Sequence, residues 1–254
     1  MTTVDVTDPK WQVSDDFKPD KESLWKYPAE KDGWMLSHNM IRQEVNELIA
    51  GLKTVSSKYS NSAPEWVVDS IKKIWSHHYD VVMDHHRNEE EIMNPFIRTR
   101  VNFPDKFEAD HEVLMKKMNG VNYGVQKLTV GDSLDNLIDL LNVYKTTMFP
   151  HLEEEELVAL PLLRAYFTPE EAKEKVAEIM KTTGPGELGS MIDSMGDDYF
   201  RSVFMPQEAI PFFVWFLKFK NDHDHFITNV KCHFDSLKAG VPMSAPEKAT
   251  LFCW

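Results

Sequence analysis

The stretch from Leu137 to Leu162 reads LIDLLNVYKTTMFPHLEEEELVALPL and predicts one long helix. Residues spaced alternately four and three apart form a single line along it: Leu137, Leu141, Tyr144, Met148, His151, Glu155, Val158 and Leu162. This spacing keeps side chains on one face of an α-helix for about seven turns. A face of this length is typical of a helix inside a bundle. A histidine and a glutamate occupy the line, so the sequence predicts polar side chains in the bundle interior.

Three more helical patterns precede this one along the chain. The first covers residues 32–58, and its apolar line includes His38. The second covers residues 64–98, and the third follows Pro104 to residue 128 with His111 on its line. The fourth runs from the turn at residues 131–133 to residue 167. The pattern predicts an all-α fold, a four-helix up-down bundle over residues 30–167.

The two ends of the chain have a different character. Residues 1–29 are polar and acidic, and we expect an extended arm whose Trp11 and Trp25 dock on the bundle. Residues 168–254 predict a C-terminal helical extension, with shorter helices and an irregular tail up to Trp254. Their function is open at this point, although a protein partner could bind through these helices.

Composition narrows the classes of protein to consider. The chain has 254 residues and a net charge of −13, which disfavours nucleic-acid binding because phosphate contacts need clustered Lys and Arg. Its two cysteines are too few for a disulfide scaffold. The first 20 residues do not resemble a signal peptide, and no apolar run reaches the roughly 20 residues that span a bilayer. We therefore expect a cytoplasmic protein with no membrane partner.

The second helix carries the stretch MDHHRNEEEIM, residues 83–93, which contains two possible His-x-x-x-Glu pairs. One pair is His85 with Glu89, and the other is His86 with Glu90. The fourth helix reads Tyr-x3-Met-x2-His-x3-Glu-Glu, and the second helix repeats these letters only when His86 is aligned with His151. This internal repeat favours His86 and Glu90 as the inward pair. His85 and Glu89 are then neighbours or solvated side chains.

The inward lines of the four helices together present His and Glu side chains to one interior. Imidazole and carboxylate ligands suit iron, manganese or zinc. An unpaired glutamate in a bundle core is costly unless it binds a cation or a donor, so a purely structural role is the weaker interpretation. The predicted metal ligands are His38, His86, Glu90, His111, His151 and Glu155.

This order of motifs, H…HxxxE…H…HxxxE, resembles the hemerythrin-like (HHE cation-binding) family over about residues 30–167. The resemblance implies a non-haem centre of two iron ions with an oxo or hydroxo bridge. It further implies that Glu90 and Glu155 bridge the ions and that the four histidines are terminal ligands. O₂ or another small diatomic molecule is the ligand that the family suggests.

The chain departs from the oxygen-carrying members at two positions. Met115 stands where they have a fifth histidine, and Glu155 follows His151 by four residues where they have Asp at five. The resemblance therefore implies six protein ligands and an open position on one ion. Glu89, Glu108 or Glu112 could supply a seventh. In this respect the chain is more similar to iron- and oxygen-responsive domains, including those of iron-sensing ubiquitin-ligase subunits, and to bacterial di-iron repair proteins.

The remaining histidines carry weaker signals. His77 and His78 are expected to be surface or core polar residues, and His223, His225 and His233 do not have the spacing of a second metal site. The leading expectation is a protein that binds O₂ or senses iron or oxygen. The rival is a di-iron oxidase, or a protein that donates iron or repairs Fe–S clusters. Whether the chain is an enzyme is open, and a non-enzymatic role is favoured.

Overall fold

The computed structural model describes residues 3–20 and 24–243, and within them the fold is all helical. No β-strand occurs in these ranges, and an isolated β-bridge joins Gln12 to Val101. The predicted fold class, a helix bundle with additional C-terminal helices, is confirmed. The predicted irregular tail up to Trp254 falls on residues 244–254, outside the described part.

Four helices form the bundle. They are α1 (Gly33–Lys58), α2 (Glu65–Asn88), α3 (Lys106–Lys127) and α4 (Asp135–Leu157). α1 packs on α2 and α4, and α3 packs on the same two helices, so the four enclose one interior. Asp32 begins α1 by accepting a hydrogen bond from the Trp34 N–H, as an N-cap residue does.

The apolar lines read from the sequence face this interior. On α3, His111 is buried together with Leu114, Met118 and Val121, which lie on the same face. On α4, Leu141, Tyr144 and Met148 are fully buried. The 3.6-residue period therefore identifies the inward faces of both helices, because only one face of each can reach the shared core.

α2 is interrupted at its Glu run, and α4 is interrupted just beyond its own. α2 passes into a π-helical turn, Glu89–Met93, and then into Asn94–Arg98. α4 stops at Leu157, and Val158 adopts φ −124°, ψ −60° before a new helix, α5 (Ala159–Tyr166). The sequence predicted an unbroken helix to residue 167. At the break Ala159 is buried and Val158 is only half-buried, whereas Leu162 of the predicted line is buried as expected.

The N-terminal arm contains two short 3₁₀ turns, Pro9–Trp11 and Ala29–Lys31. Trp25 Nε1 donates a hydrogen bond to the Phe167 carbonyl at 3.2 Å, and Trp11 packs on the apolar cluster around α5. Both tryptophans thus contact the body of the protein. The domain boundaries at residues 30 and 168 remain predictions.

Beyond α5 come α6 (Pro169–Thr182) and α7 (Pro185–Met195), followed by helical residues 197–207 (α8) and 215–239 (α9). α9 contains two π turns and packs on α1, α2 and α7. Gly189 on α7 permits a close crossing, since a Cβ there would lie 2.4 Å from the Asp222 carbonyl oxygen. Within the described residues, no helix is both long and apolar enough to cross a membrane.

Candidate metal centre

Seven buried side chains form two adjacent groups between the four bundle helices. One group contains His38, His85, Glu89 and Glu155, and the other contains His86, His111 and His151. Within each group, one nitrogen or oxygen atom per residue lies within 4.8 Å of the others. Ligands about 2.1 Å from a common ion lie at most roughly 4.2 Å apart, so each group has nearly the dimensions of a metal site.

The two carboxylates connect the groups. Glu89 Oε1 lies 3.2 Å from His85 Nε2, and its Oε2 lies 3.4 Å from His111 Nε2 in the other group. Glu155 Oε2 lies 3.4 Å from His38 Nε2, and its Oε1 lies 3.3 Å from His151 Nε2. Each glutamate therefore directs one oxygen to each group, which is the arrangement of a carboxylate shared by two cations.

Five of the six residues predicted from the sequence, His38, His86, His111, His151 and Glu155, belong to these groups. The sixth, Glu90, does not. Its side chain is 45% exposed, and its Oε1 lies 2.7 Å from His111 Nδ1, on the outer side of that imidazole. Glu89 takes the inward position and is 3% exposed. The structure thus corrects the expected placement of Glu90.

The buried line of α2 explains the correction. Residues on it are spaced four, three, four, three and four apart: Ile71, Trp75, His78, Val82, His85 and Glu89. The repeated letters that favoured His86 and Glu90 follow a line one residue later, on which Tyr79 and Met83 are only half-buried. The spacing of apolar residues along α2 was the signal that could have identified Glu89. Burial on a helix follows the 3.6-residue period, and it does not depend on whether a sequence motif is repeated in another helix.

His85 and His86 both contribute because they flank the inward face of α2 on opposite sides. The His85 ring lies beside His38 of α1, with centroids 5.1 Å apart. The His86 ring stacks on His111 of α3, with centroids 4.0 Å apart and planes 13° apart. His85 supplies a fifth imidazole, so the two groups contain seven residues where the sequence led us to expect six.

Other candidates for a seventh ligand lie apart from the groups. Glu108 pairs with Arg98 and accepts a hydrogen bond from Asn94, and Glu112 is exposed. Met115, the residue in place of a fifth histidine on α3, is half-buried and packs against the bundle core.

Polar neighbours orient three of the seven side chains. Glu156 Oε1 accepts a hydrogen bond from His38 Nδ1 at 2.9 Å and is itself held by Arg42. Glu90 accepts from His111 Nδ1 in the same way. A proton on Nδ1 leaves the Nε2 lone pair free and directed inward, as metal-bound histidines require. Trp34 Nε1 donates to Glu89 Oε1 at 3.0 Å.

The inward atoms of these residues test whether a metal fits. Each of the seven has a buried atom without a hydrogen-bond partner among the described residues: Nε2 of the five histidines, Oε2 of Glu89 and Oε2 of Glu155. Buried polar atoms are almost always paired, since an unpaired one costs about 1–3 kcal/mol. Seven such atoms directed at one interior fit a pair of cations.

The pKa values describe the same cluster without a cation. Burial lowers the pKa of His86 well below its ordinary value, and the adjacent His111 lowers it further. Burial alone would also lower the pKa of His38, but the hydrogen bond with Glu156 and the nearby carboxylate of Glu89 raise it to about 9. For Glu89, burial opposes ionisation, yet the nearby imidazoles of His85, His111 and His38 hold its pKa well below the usual range. The cluster thus favours an ionised Glu89 surrounded by imidazoles, and a bound cation would compete with protons for the same side chains.

A second buried polar network lies further along the bundle. Glu44 Oε2 accepts from His78 Nδ1 at 2.7 Å, and Glu44 Oε1 pairs with His77 and Ser190. His78 Nε2 accepts from the Tyr144 hydroxyl at 3.0 Å. His78 is thus a satisfied core residue, as expected. The sequence reasoning did not identify Glu44, which lies beside the α1 line.

The C-terminal histidines lie apart from both metal groups. His223 pairs with Asp197 at 2.9 Å, and His233 lies 3.0 Å from the Ser70 hydroxyl. In the described residues, none of His223, His225 and His233 belongs to a cluster of three or more potential ligands.

Comparison with known proteins agrees with this geometry. The family model for the hemerythrin HHE cation-binding domain matches residues 31–163, just over half of the chain. No curated protein and no solved structure gives a significant match. The matched range contains all four bundle helices and all seven inward residues. The chain therefore belongs to the hemerythrin HHE cation-binding domain family.

Proposed function

We propose that this protein is a non-haem di-iron protein that binds O₂ or another small diatomic ligand, or senses iron or oxygen. One observation carries the proposal: Glu89 and Glu155 each direct one oxygen to each of two histidine groups. Two shared carboxylates surrounded by five imidazoles suit a pair of iron ions better than a single ion.

The proposed ligands divide by group. His38 and His85 would hold one ion, and His86, His111 and His151 would hold the other, with Glu89 and Glu155 shared. When bound, an iron pair supplies reversible redox chemistry and an affinity for small diatomic molecules. This set replaces Glu90 by Glu89 and adds His85 to the residues expected from the sequence.

The surrounding residues hold the ligands in place and limit access by water. Glu156 with Arg42, and Glu90, fix the orientation of His38 and His111. Leu114 and Met148, about one helical turn from His111 and His151, are fully buried. A surface cleft of about 160 Å³ beside His151 brings solvent next to the three-histidine group. We propose this cleft as the entrance for a small ligand.

Metal analysis of the purified protein, with an optical spectrum in the near ultraviolet, tests the proposal. We expect about two irons per chain, as the two groups imply, and absorption from iron–ligand charge transfer. Glu89→Gln should lower the iron content sharply, and Glu90→Gln should lower it less. Absence of iron, or a larger loss for Glu90→Gln than for Glu89→Gln, would contradict the proposal.

One observation favours a second candidate, a di-iron oxidase. A largely apolar cavity of about 130 Å³ reaches His85 and Glu89 from the side of the C-terminal helices. Cavities of this kind bind organic molecules. O₂ consumption that continues after all iron is oxidised, in the presence of a reductant, would indicate turnover, whereas uptake limited to the iron present would indicate binding or sensing. A role in iron donation or Fe–S cluster repair stays a prediction.

A further inference from the structure

The cavity beside His85 and Glu89 lies between the bundle and the C-terminal helices. α6 contributes Val176 and Met180 to its wall, α7 contributes Met191, and α8 contributes Phe200 and Phe204. These side chains are apolar, so water in the chamber would find few hydrogen-bond partners. The chamber is therefore better suited to an apolar molecule than to solvent.

Its volume limits what it can hold. An apolar cavity of about 150 Å³ is large enough for benzene. At about 130 Å³, this chamber fits a single ring or a short chain, with a polar end where the wall is polar.

The polar part of the wall contains four acids and one lysine, Lys173. Glu187 lines the cavity, and its Oε2 is buried without a hydrogen-bond partner among the described residues. The other three acids are already paired: Glu89 with Trp34, Asp32 with Arg164, and Glu208 with the side-chain amide of Gln207. Burial raises the pKa of Glu187 to about 8, and the negative charges of Asp84 and Glu44 add to the shift, which Arg87 opposes. A cation placed against Glu187 would relieve this accumulation of negative charge.

We propose that the chamber binds a small amine whose apolar body contacts the methionine and phenylalanine side chains and whose ammonium group pairs with Glu187. An ammonium group carries three donors and no acceptor, which matches the unpartnered Oε2 of Glu187 and would favour the charged form of this carboxyl group. The inner end of such a molecule would lie against His85 and Glu89. This binding goes beyond the proposed function and does not depend on the iron.

Calorimetric titration of the purified full-length protein with three probes of one shape tests the proposal. The probes are benzylamine, benzyl alcohol and benzoate. We expect benzylamine to bind at least about tenfold more tightly than benzyl alcohol, and benzoate not to bind, because only the amine supplies a positive charge to Glu187. Equal binding of amine and alcohol would overturn the assignment of an amine, and no binding of any probe would overturn the site.

Variants locate the binding. Glu187→Gln should weaken benzylamine about tenfold and leave benzyl alcohol unchanged. Glu178→Gln, at an exposed position of α6, is the matched control and should change neither. Met191→Phe should weaken both probes by reducing the volume of the chamber, and Val176→Phe provides a second such variant if the first unfolds. Unchanged amine affinity in Glu187→Gln would overturn the proposal. Iron content measured on the same samples reports separately on the di-iron centre.

Discussion

The segments of α2 and α4 that carry the candidate ligands, called here the α2 arm and the α4 arm, contain nearly the same residues but use them differently. α2 carries His85-His86-x2-Glu89-Glu90, and α4 carries His151-Leu152-x2-Glu155-Glu156. In both arms the first glutamate of the final pair faces inward. In both, the second accepts a hydrogen bond from an imidazole on a neighbouring helix: Glu90 from His111 and Glu156 from His38. In each Glu-Glu pair, one carboxylate therefore faces the other candidate ligands and the other accepts a hydrogen bond from an imidazole, a difference that the sequence alone does not reveal.

The arms differ at the position after the first histidine. Leu152 is fully buried among apolar residues, whereas His86 stacks on His111 and joins the three-histidine group. The helices also differ beyond the glutamate, because α2 widens into a π turn at Glu89 and α4 stays regular until Val158. One substitution at equivalent positions thus makes a repeated motif asymmetric, with α2 contributing three candidate ligands and α4 two.

The largest expected effect tests whether the two inward glutamates are equivalent. Glu155→Gln should lose iron as completely as Glu89→Gln, because each carboxylate is proposed to be shared by both ions. Iron per chain, measured by mass spectrometry of metals, should fall from about two to well below one in either variant. Glu91→Gln, at an exposed position of the same glutamate run, should retain all iron. Retention of one iron in only one of the two glutamine variants would show that the arms are not equivalent.

His86→Leu converts the α2 arm to the pattern of the α4 arm. It should remove one imidazole from the three-histidine group and leave His38, His85 and both glutamates in place. We expect the iron content to fall to about one per chain, since the four-residue group keeps all its proposed ligands. Two irons per chain in this variant would show that His86 is a packing residue, as Leu152 is.

Glu90→Gln and Glu156→Gln should each have a moderate effect of similar size. Both remove the charge that orients an imidazole, and the loss of such a supporting group typically lowers metal affinity about 10- to 100-fold. Competition with a chelator of known affinity would measure this loss. An effect of Glu90→Gln as large as that of Glu89→Gln would mean that Glu90 binds metal directly.

The smallest expected effect tests which residue of α2 corresponds to Tyr144 of α4. Tyr79 corresponds to Tyr144 when the repeated sequence motif is aligned, but His78 corresponds to it when the buried faces of the two helices are aligned. Tyr144→Phe removes the donor to His78 Nε2 and should cost about 1–3 kcal/mol of unfolding free energy. Tyr79→Phe removes a contact to Asn119 at a more exposed position and should cost at most about 0.5 kcal/mol. Denaturant unfolding of the iron-loaded variants measures both free energies. Equal losses would favour Tyr79, and not His78, as the residue that corresponds to Tyr144.

Much of the centre follows from local periodicity. His38, His111, His151 and Glu155 lie on apolar lines with a 3.6-residue period, so each was predicted to face inward, and the structure places each there. The inward residues of α2 were harder to predict, because its adjacent histidines and adjacent glutamates allow two alternative His-x-x-x-Glu pairs. The internal repeat of letters misled the choice, since Tyr and Met fit half-buried positions as well as buried ones.

The chain's sequence by itself determined the helix bundle, the family and most of the inward residues, because burial on a helix follows a period that can be read from the letters. Only the tertiary structure decided that His85 and His86, although adjacent, belong to different groups. It also decided that the C-terminal helices enclose a chamber beside the centre. These features depend on how α2 is rotated against its neighbours and on a π turn. A rotation of one residue, about 100°, is set by packing across helices and not by any single one.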